Sequence, residues 1–270
     1  APYLSVDTRQ GARIGNKQLL DHMMHDGLED AYHEHQPMGN FAELCAEQYG
    51  ITREQQDAYA LASIERAIQA TQGGAFQHEI APIDVKHRRE TITITEDEGI
   101  LHAKPDKVPT LKPAFKPDGT VTAANASNIS DGAAAIMMMR QSTATALNAT
   151  PLAKICGISV HAQAPEWFTT APIGAIQNVL QQLDWDISTI DCFEINEAFA
   201  VVPLVAMQEL NVPHDKVNVN GGACVLGHPV GASGTRIVVT LINALKQRNL
   251  KRGIAALCIG GGEATAVAIE

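Results

Sequence analysis

The sequence predicts an α/β protein with a mixed or mainly parallel sheet covered by helices on its faces. Two observations carry this. From about residue 151, strand-like and helix-like segments alternate as βαβαβαββ, and upstream the run Ala133–Met139 is continuously apolar, as in a fully buried strand. The chain is 45% hydrophobic and 19% charged over 270 residues, enough for a sizeable core.

The elements follow in order. Residues 1 to about 127 read as mixed and largely surface-bound, with a helix over Asn16–Asp30. Thr52 with Gln55 has capping-box spacing, and the helix it opens runs to about Thr71 and stops at Gly73-Gly74. Apolar or small residues at 58, 62, 64, 67 and 68 give that helix a buried stripe. Residues 91–94 alternate as a strand. A long irregular stretch to about 120 carries Pro105, Pro109, Pro113 and Pro117, and reads as a binding loop or as disorder.

The 133–139 run, bounded by Asp131-Gly132 and Arg140, is expected to be a strand whose sheet partners are few in the preceding residues. Beyond it, strands are expected at 153–160, 190–194, 216–219, 254–259 and 264–269. Helices are expected at 172–183, 197–209 and 232–247, the second apolar enough (Ala198, Phe199, Val201, Val202, Leu204, Val205) to be buried on most sides.

The formal net charge of -10 argues against sequence-independent nucleic-acid binding. Lys86, His87, Arg88 and Arg89 form a short basic run, either solvated surface or a landing site for a phosphorylated ligand. The five cysteines (45, 156, 192, 224, 258) have neither metal-ligand nor disulfide-scaffold spacing, so a reducing compartment is expected. His33-x-His35 has no evident partners, and no metal site is expected. No apolar stretch is long enough for a membrane span. Ala1-Pro2-Tyr3 lacks both a Met and a signal pattern, which suggests processing or a piece of a longer protein, cytoplasmic or organellar.

Three junctions carry candidate chemistry. Asn196-Glu197-Ala198-Phe199-Ala200 follows a strand and starts a helix. Asn196 is either an N-cap with Glu197 as a first-turn carboxylate, or an amide holding a water or a carbonyl. Gly227-His228-Pro229 with Gly231-Ala232-Ser233-Gly234 surrounds one histidine with glycine, either for ligand approach or as a structural turn. Cys258-Ile259-Gly260-Gly261-Gly262 ends an apolar strand, and the Gly260 amide could donate to a developing oxyanion.

Together these segments resemble the three C-terminal signature motifs of the thiolase family, in order and spacing. Gly119-Thr120-Val121-Thr122-Ala123-Ala124-Asn125-Ala126-Ser127 with Asp131-Gly132-Ala133-Ala134 resembles the family's passage from loop domain to core. Pro37-Met38-Gly39 resembles its segment near the acyl-CoA, with Pro37 where His is common.

The resemblance implies a layered α/β/α/β/α sandwich of two βαβαβαββ halves. It implies a CoA-covering loop domain at 1–127, the last strand of the N-terminal half with a linker at 128–150, and the complete C-terminal half at 151–270. Of the N-terminal half, only that last strand is expected.

It also implies reversible Claisen condensation of two acetyl-CoA to acetoacetyl-CoA plus CoA, in acyl-CoA and fatty-acid metabolism. No cofactor beyond coenzyme A or acyl-CoA as substrate is required. The intact protein would be a homodimer or homotetramer, with no nucleic-acid or membrane partner. Cys258 is the implied acid/base at the α-carbon, its pKa brought near neutrality by its surroundings. His228 with Asn196 would form one oxyanion hole and Gly260 the other. Ser127 and Ala124–Ala126 would contact pantetheine, with Met38, Phe115 and Phe199 as apolar wall. Leu101 stands where an arginine often meets the CoA phosphates. The resembled nucleophilic cysteine would lie upstream of Ala1, so the chain alone is expected to be inactive. Rival readings are a longer-chain degradative thiolase, a hydrolase using Cys258 and His228 with Glu263 or Asn196, and a non-catalytic acyl-CoA-binding module.

Overall fold

The computed structural model describes residues 1–88 and 90–270; Arg89, the last residue of the basic run, lies outside them. The chain opens with β1 (Tyr3–Ser5) paired antiparallel to β2 (Leu19–Asp21). A six-residue π-helix follows at Met23–Leu28. The expected continuous helix over 16–30 is therefore absent. Leu19–Asp21 satisfies its backbone on β1, and the Asp21 carboxylate accepts from the Met23 amide at 2.9 Å, a capping-type bond that lets helical structure begin only after Asp21.

Helix α1 (Met38–Tyr49) ends at Gly50 in left-handed conformation (φ 66°). Helix α2 (Arg53–Gln72) begins with the predicted capping box. Thr52 Oγ1 accepts from the Gln55 amide at 3.2 Å, and Gln55 Oε1 accepts from the Thr52 amide at 2.8 Å. A hairpin of β3 (Ile83–His87) and β4 (Glu90–Ile94) contains the expected strand. Two short helices follow, α3 (Glu98–His102) and α4 (Gln141–Ala146).

The run 133–139 corrects the prediction. It has no strand assignment, and Met137 and Met138 are 86% and 70% exposed. Apolar composition alone does not make a strand; a ladder partner is needed, and none of the described sheets includes this segment. The contribution expected from 131–140, a single buried strand of an N-terminal half, is thus not what stands there. The residues before it hold two antiparallel ribbons and several helices instead.

From residue 151 the reading holds more closely. The elements are β5 (Ile155–Ala162), α5 (Ala171–Leu183), β6 (Cys192–Ile195), α6 (Val201–Leu210), α7 (Ala223–Leu226), α8 (Ser233–Arg248), β7 (Gly253–Ile259) and β8 (Glu263–Ile269). The sheet order is β5-β8-β7-β6, with β6–β7 parallel and the other two pairs antiparallel. The strand expected at 216–219 is reduced to two isolated parallel bridges, Phe193 to Val217 and Val219 to Gly221.

Alternation along the strands sorts the two faces. Phe193, Ile195, Ile254, Ala256 and Cys258 join the core with α5 and α6. Cys192, Ala255 and Ile269 join α8 on the other face. The described residues of this half form three layers, α/β/α. Helix α6 is buried as expected, with Val201, Val202, Val205 and Ala206 at most 1% exposed. It starts four residues later than predicted because residues 199–200 are held by 125–126. Ala126 bridges Phe199, and the Ala200 amide donates to Asn125 O at 2.7 Å.

Candidate active site

Asn196 leaves the end of β6, where its amide donates to Ala256 O at 3.0 Å, two residues before Cys258 on β7. Its side chain does not cap a helix. Nδ2 lies 3.3 Å from His228 Nε2. Asn196 therefore joins the strand that carries Cys258 to the loop that carries His228.

The imidazole is fixed from its other side by Ser233, 2.6 Å from Nδ1. The Ser233 hydroxyl also lies 3.1 Å from Pro229 O; turned to donate to Nδ1 instead, it leaves the proton of the neutral imidazole on Nε2, the side that faces Asn196 and the tautomer an oxyanion donor requires. The backbone is fixed too, the His228 amide donating to Asn128 O at 2.9 Å. Burial, and secondarily the Arg236 cation, push the His228 pKa down to about 4.

The imidazole is therefore neutral at pH 7, fit to hold or donate a hydrogen bond rather than to carry charge. An NMR titration is expected to show His228 unprotonated down to pH 5, with its midpoint near 4. Because folding lowers this pKa from 6.5, the unfolded chain takes up the proton first. The stability held in neutral His228 is complete above that value and is lost as pH falls toward 4.

Cys258 is 7% exposed and packs in the same core cluster as Ile195, Phe199 and, at its edge, Met38 and Phe115. Burial pushes its thiol up to about 12, not toward neutrality as expected from the sequence. With His228 neutral, no cation on that side offsets the desolvation. The resting group is therefore a thiol, which becomes a base only after a stronger base has taken its proton.

Beyond Cys258, Gly261 and Gly262 turn the chain with φ of 95° and 88°. A Cβ on Gly262 would lie 2.2 Å from Gln163 O, so this hairpin requires glycine. A Cβ on Gly260 would lie 2.8 Å from Met38 Cε, which puts the predicted wall residue against the predicted oxyanion donor.

The segment 120–127 is pinned alongside. Glu43 accepts from the amides of Thr120 and Val121 at 2.9 Å, and Asn125 Nδ2 donates to Asp57 and Thr120 O at 3.0 Å. The Ser127 amide donates to Ala198 O at 3.0 Å, and Phe115 meets Phe199 edge-on at 6.2 Å. Ala124 departs from this group and packs with Ile64, Val108 and Val225. Leu101 is 69% exposed, and the hairpin bearing Lys86 and Arg88 is exposed at both.

Two cavities among the described residues bear on the site. One of about 390 Å³ is lined by Ser130–Ala134, Pro229–Ala232 and Thr235, adjoining the His228 loop without including His228 or Cys258. The other, about 660 Å³, lies at the far end of the sheet near Lys246, Arg252 and Glu270.

Sequence reasoning missed two residues. Ser233 was visible only as part of a glycine-rich stretch, although its position five residues after His228 at a helix start could have suggested the bond. Glu197 is no exposed first-turn carboxylate. It is fully buried and accepts from Tyr59 Oη at 2.9 Å, Ser63 Oγ at 2.9 Å, Asn218 Nδ2 at 3.0 Å and the Cys224 amide at 3.0 Å.

Comparison with known proteins completes the picture. The profile described as "Thiolase, N-terminal domain" matches residues 1–142, and "Thiolase, C-terminal domain" matches residues 149–270. The first match overturns the expectation that only the last strand of the N-terminal half is present. The chain is 47% identical over its whole length to a probable acetyl-CoA acetyltransferase of Dictyostelium discoideum, covering 65% of that protein. The crystal structure of the Bacillus anthracis acetyl-CoA acetyltransferase superposes with a TM-score of 0.94 at 42% identity, over all of this chain and 68% of that one. The Acat5 thiolase of Ascaris suum, solved in complex with coenzyme A, gives 0.91 at 43% identity, again over all of this chain and 68% of the other. The chain thus spans about two thirds of the length of these relatives. With both domain profiles matched and the motif residues Asn196, His228 and Cys258 gathered around one end of the sheet, the chain belongs to the thiolase family.

Proposed function

We propose that this chain supplies the enolate-handling side of an acyl-CoA C-acyltransferase, acting on two acetyl-CoA to give acetoacetyl-CoA and CoA, and the reverse. The observation that carries the reading is the Asn196–His228 pair at 3.3 Å, attached through β6–β7 to Cys258. Asn196 and His228 bind the thioester oxygen of the nucleophilic acetyl-CoA. Cys258 gives its proton to the CoA thiolate released when a second cysteine is acylated, and the thiolate so formed takes an α-proton on the way to condensation and returns it on cleavage. The α-carbon attacks the acyl group held as a thioester on that second cysteine, the new C–C bond forms, and that cysteine leaves as thiolate. The Gly260 amide stabilises the oxyanion of that second step. Met38, Phe115, Phe199, Ser127 and the 124–126 backbone wall the pantetheine, under a cover formed by residues 1–127.

The chain's own cysteines support a division of labour. Cys45, Cys192 and Cys224 are buried, Cys45 and Cys192 being pushed up to about 11 and 12 by desolvation. Cys156 lies on β5, at the opposite edge of the sheet from Asn196. None of these four is set to carry the acyl group. Similarity to the named acetyl-CoA acetyltransferases supports a short acyl substrate.

One incubation tests the reading. Acetyl-CoA held with the chain in D2O is expected to gain deuterium at its methyl group while the protein mass stays unchanged. An acetyl adduct on Cys258 would overturn the assignment in favour of a hydrolase. The observed bonds of His228 argue the same way, since they run to Asn196 and Ser233 and not to Cys258.

A further inference from the structure

Four of the ten histidines fall between residues 22 and 35. The sequence offered no carboxylate to complete His33-x-His35, but the fold supplies one to His35. Residues 31–35 form a turn closed by the Glu29–Pro37 bridge and by the Asp30 amide donating to Gln36 O at 2.9 Å. Asp30, 1% exposed, accepts from the Tyr32 amide at 2.9 Å and the His33 amide at 2.7 Å. Glu34 and His35 then take consecutive left-handed conformations, with φ of 50° and 57°, rare for residues with a side chain.

This backbone folds His35 over His25. The two rings stack with centroids 4.4 Å apart and 28° between planes. His35 Nδ1 lies 3.6 Å from Glu29 Oε2. His25 and Glu29 sit one turn apart, at and just beyond the π-helix. One ligand atom from each of His25, Glu29 and His35 lies within 4.8 Å of the others.

We propose that His25, Glu29 and His35 bind a divalent transition-metal ion of the Zn2+ class, with water completing its coordination. Two imidazoles and one carboxylate suit Zn2+, Co2+, Ni2+ or Cu2+ rather than Mg2+ or Ca2+, which prefer all-oxygen shells. Tetrahedral ligands at Zn–N and Zn–O lengths stand roughly 3.4 Å apart. The His35–Glu29 pair is already near that spacing, and half-exposed side chains can close the rest by torsion.

The ion would tie residue 25 to residue 35 across the turn that carries Tyr32. That ring lies 3.4 Å from a Cβ placed on Gly261, and the chain runs on to Met38 against Gly260. Stiffening the cover over the Gly260 loop is the consequence; it rests on the function proposed above, whereas the metal site does not.

The test is a titration of the chain with Zn2+ against a chromophoric chelator, with Co2+ absorption as a second readout. One equivalent is expected to bind with a dissociation constant of about 10 µM or tighter. His25→Ala, His35→Ala and Glu29→Gln are each expected to weaken binding at least about tenfold with circular dichroism unchanged. His22→Ala and His33→Ala, which remove the neighbouring imidazoles, are expected to leave it unchanged. If an alanine variant loses its fold, the Glu29→Gln result decides. Absence of saturable binding, survival of binding in Glu29→Gln, or an equal loss in the His22 and His33 variants overturns the proposal.

Discussion

Replacing His228 by alanine is expected to lower α-proton exchange of acetyl-CoA by at least about a hundredfold, since removal of one preorganised oxyanion donor costs about 3 kcal/mol. The imidazole arrives already neutral, held by Ser233 and Asn196, so it needs no reorganisation when the thioester oxygen gains charge. Cys258→Ala is expected to cost about 10²- to 10⁴-fold, the usual range for a lost general base. With the thiol pushed up to about 12, exchange in the wild-type chain should also rise with pH above neutrality as the thiolate fraction grows. Deuterium incorporation followed by mass spectrometry reads all three effects. A His228→Ala chain that exchanges at the wild-type rate would remove the imidazole from the reaction.

The second large effect concerns stability. Glu197→Ala is expected to destabilise the chain by about 3–5 kcal/mol in denaturant unfolding. The glutamate is fully buried, and its two oxygens serve donors from α2 (Tyr59, Ser63), from Asn218 and from the Cys224 amide. Alanine would leave those donors buried without an acceptor. It would also loosen the buried polar hub between α2 and the segments at 197, 218 and 222–224. Glu197→Gln keeps one acceptor oxygen and should cost less. A loss below about 1 kcal/mol for the alanine variant would show that the donors find other partners.

How much of this was legible in the sequence varied with how local the cause was. The α2 capping box needs only residues 52 and 55, and it was read correctly. Helices α5 and α8 and strands β7 and β8 carry their own periodicity and glycine breaks, and they fall within two residues of expectation. The run 133–139 failed because an apolar stretch states a preference for burial without naming the strand that would pair with it. Residues 197–200 read as helix, yet their backbone is claimed by Asn125 and Ala126 some seventy residues earlier. Glu197 read as a helix-start carboxylate, because Tyr59 and Ser63 lie 138 and 134 residues away in the chain. The resemblance named the Ala124–Ala126 backbone, and where the Ala124 side chain packs, against the cluster of Ile64, Val108 and Val225, was not legible because those partners are distant in the chain.

The account stands on His228 and Cys258 working as one unit on a single thioester. The double variant His228→Ala/Cys258→Ala tests this most directly when its exchange rate is set beside those of the single variants. Groups that share one transition state lose their effect together, so the double variant should exchange no more than about threefold slower than the worse single variant. Losses that multiply across the two sites would mean that the imidazole and the thiol act independently, and would contradict a shared site.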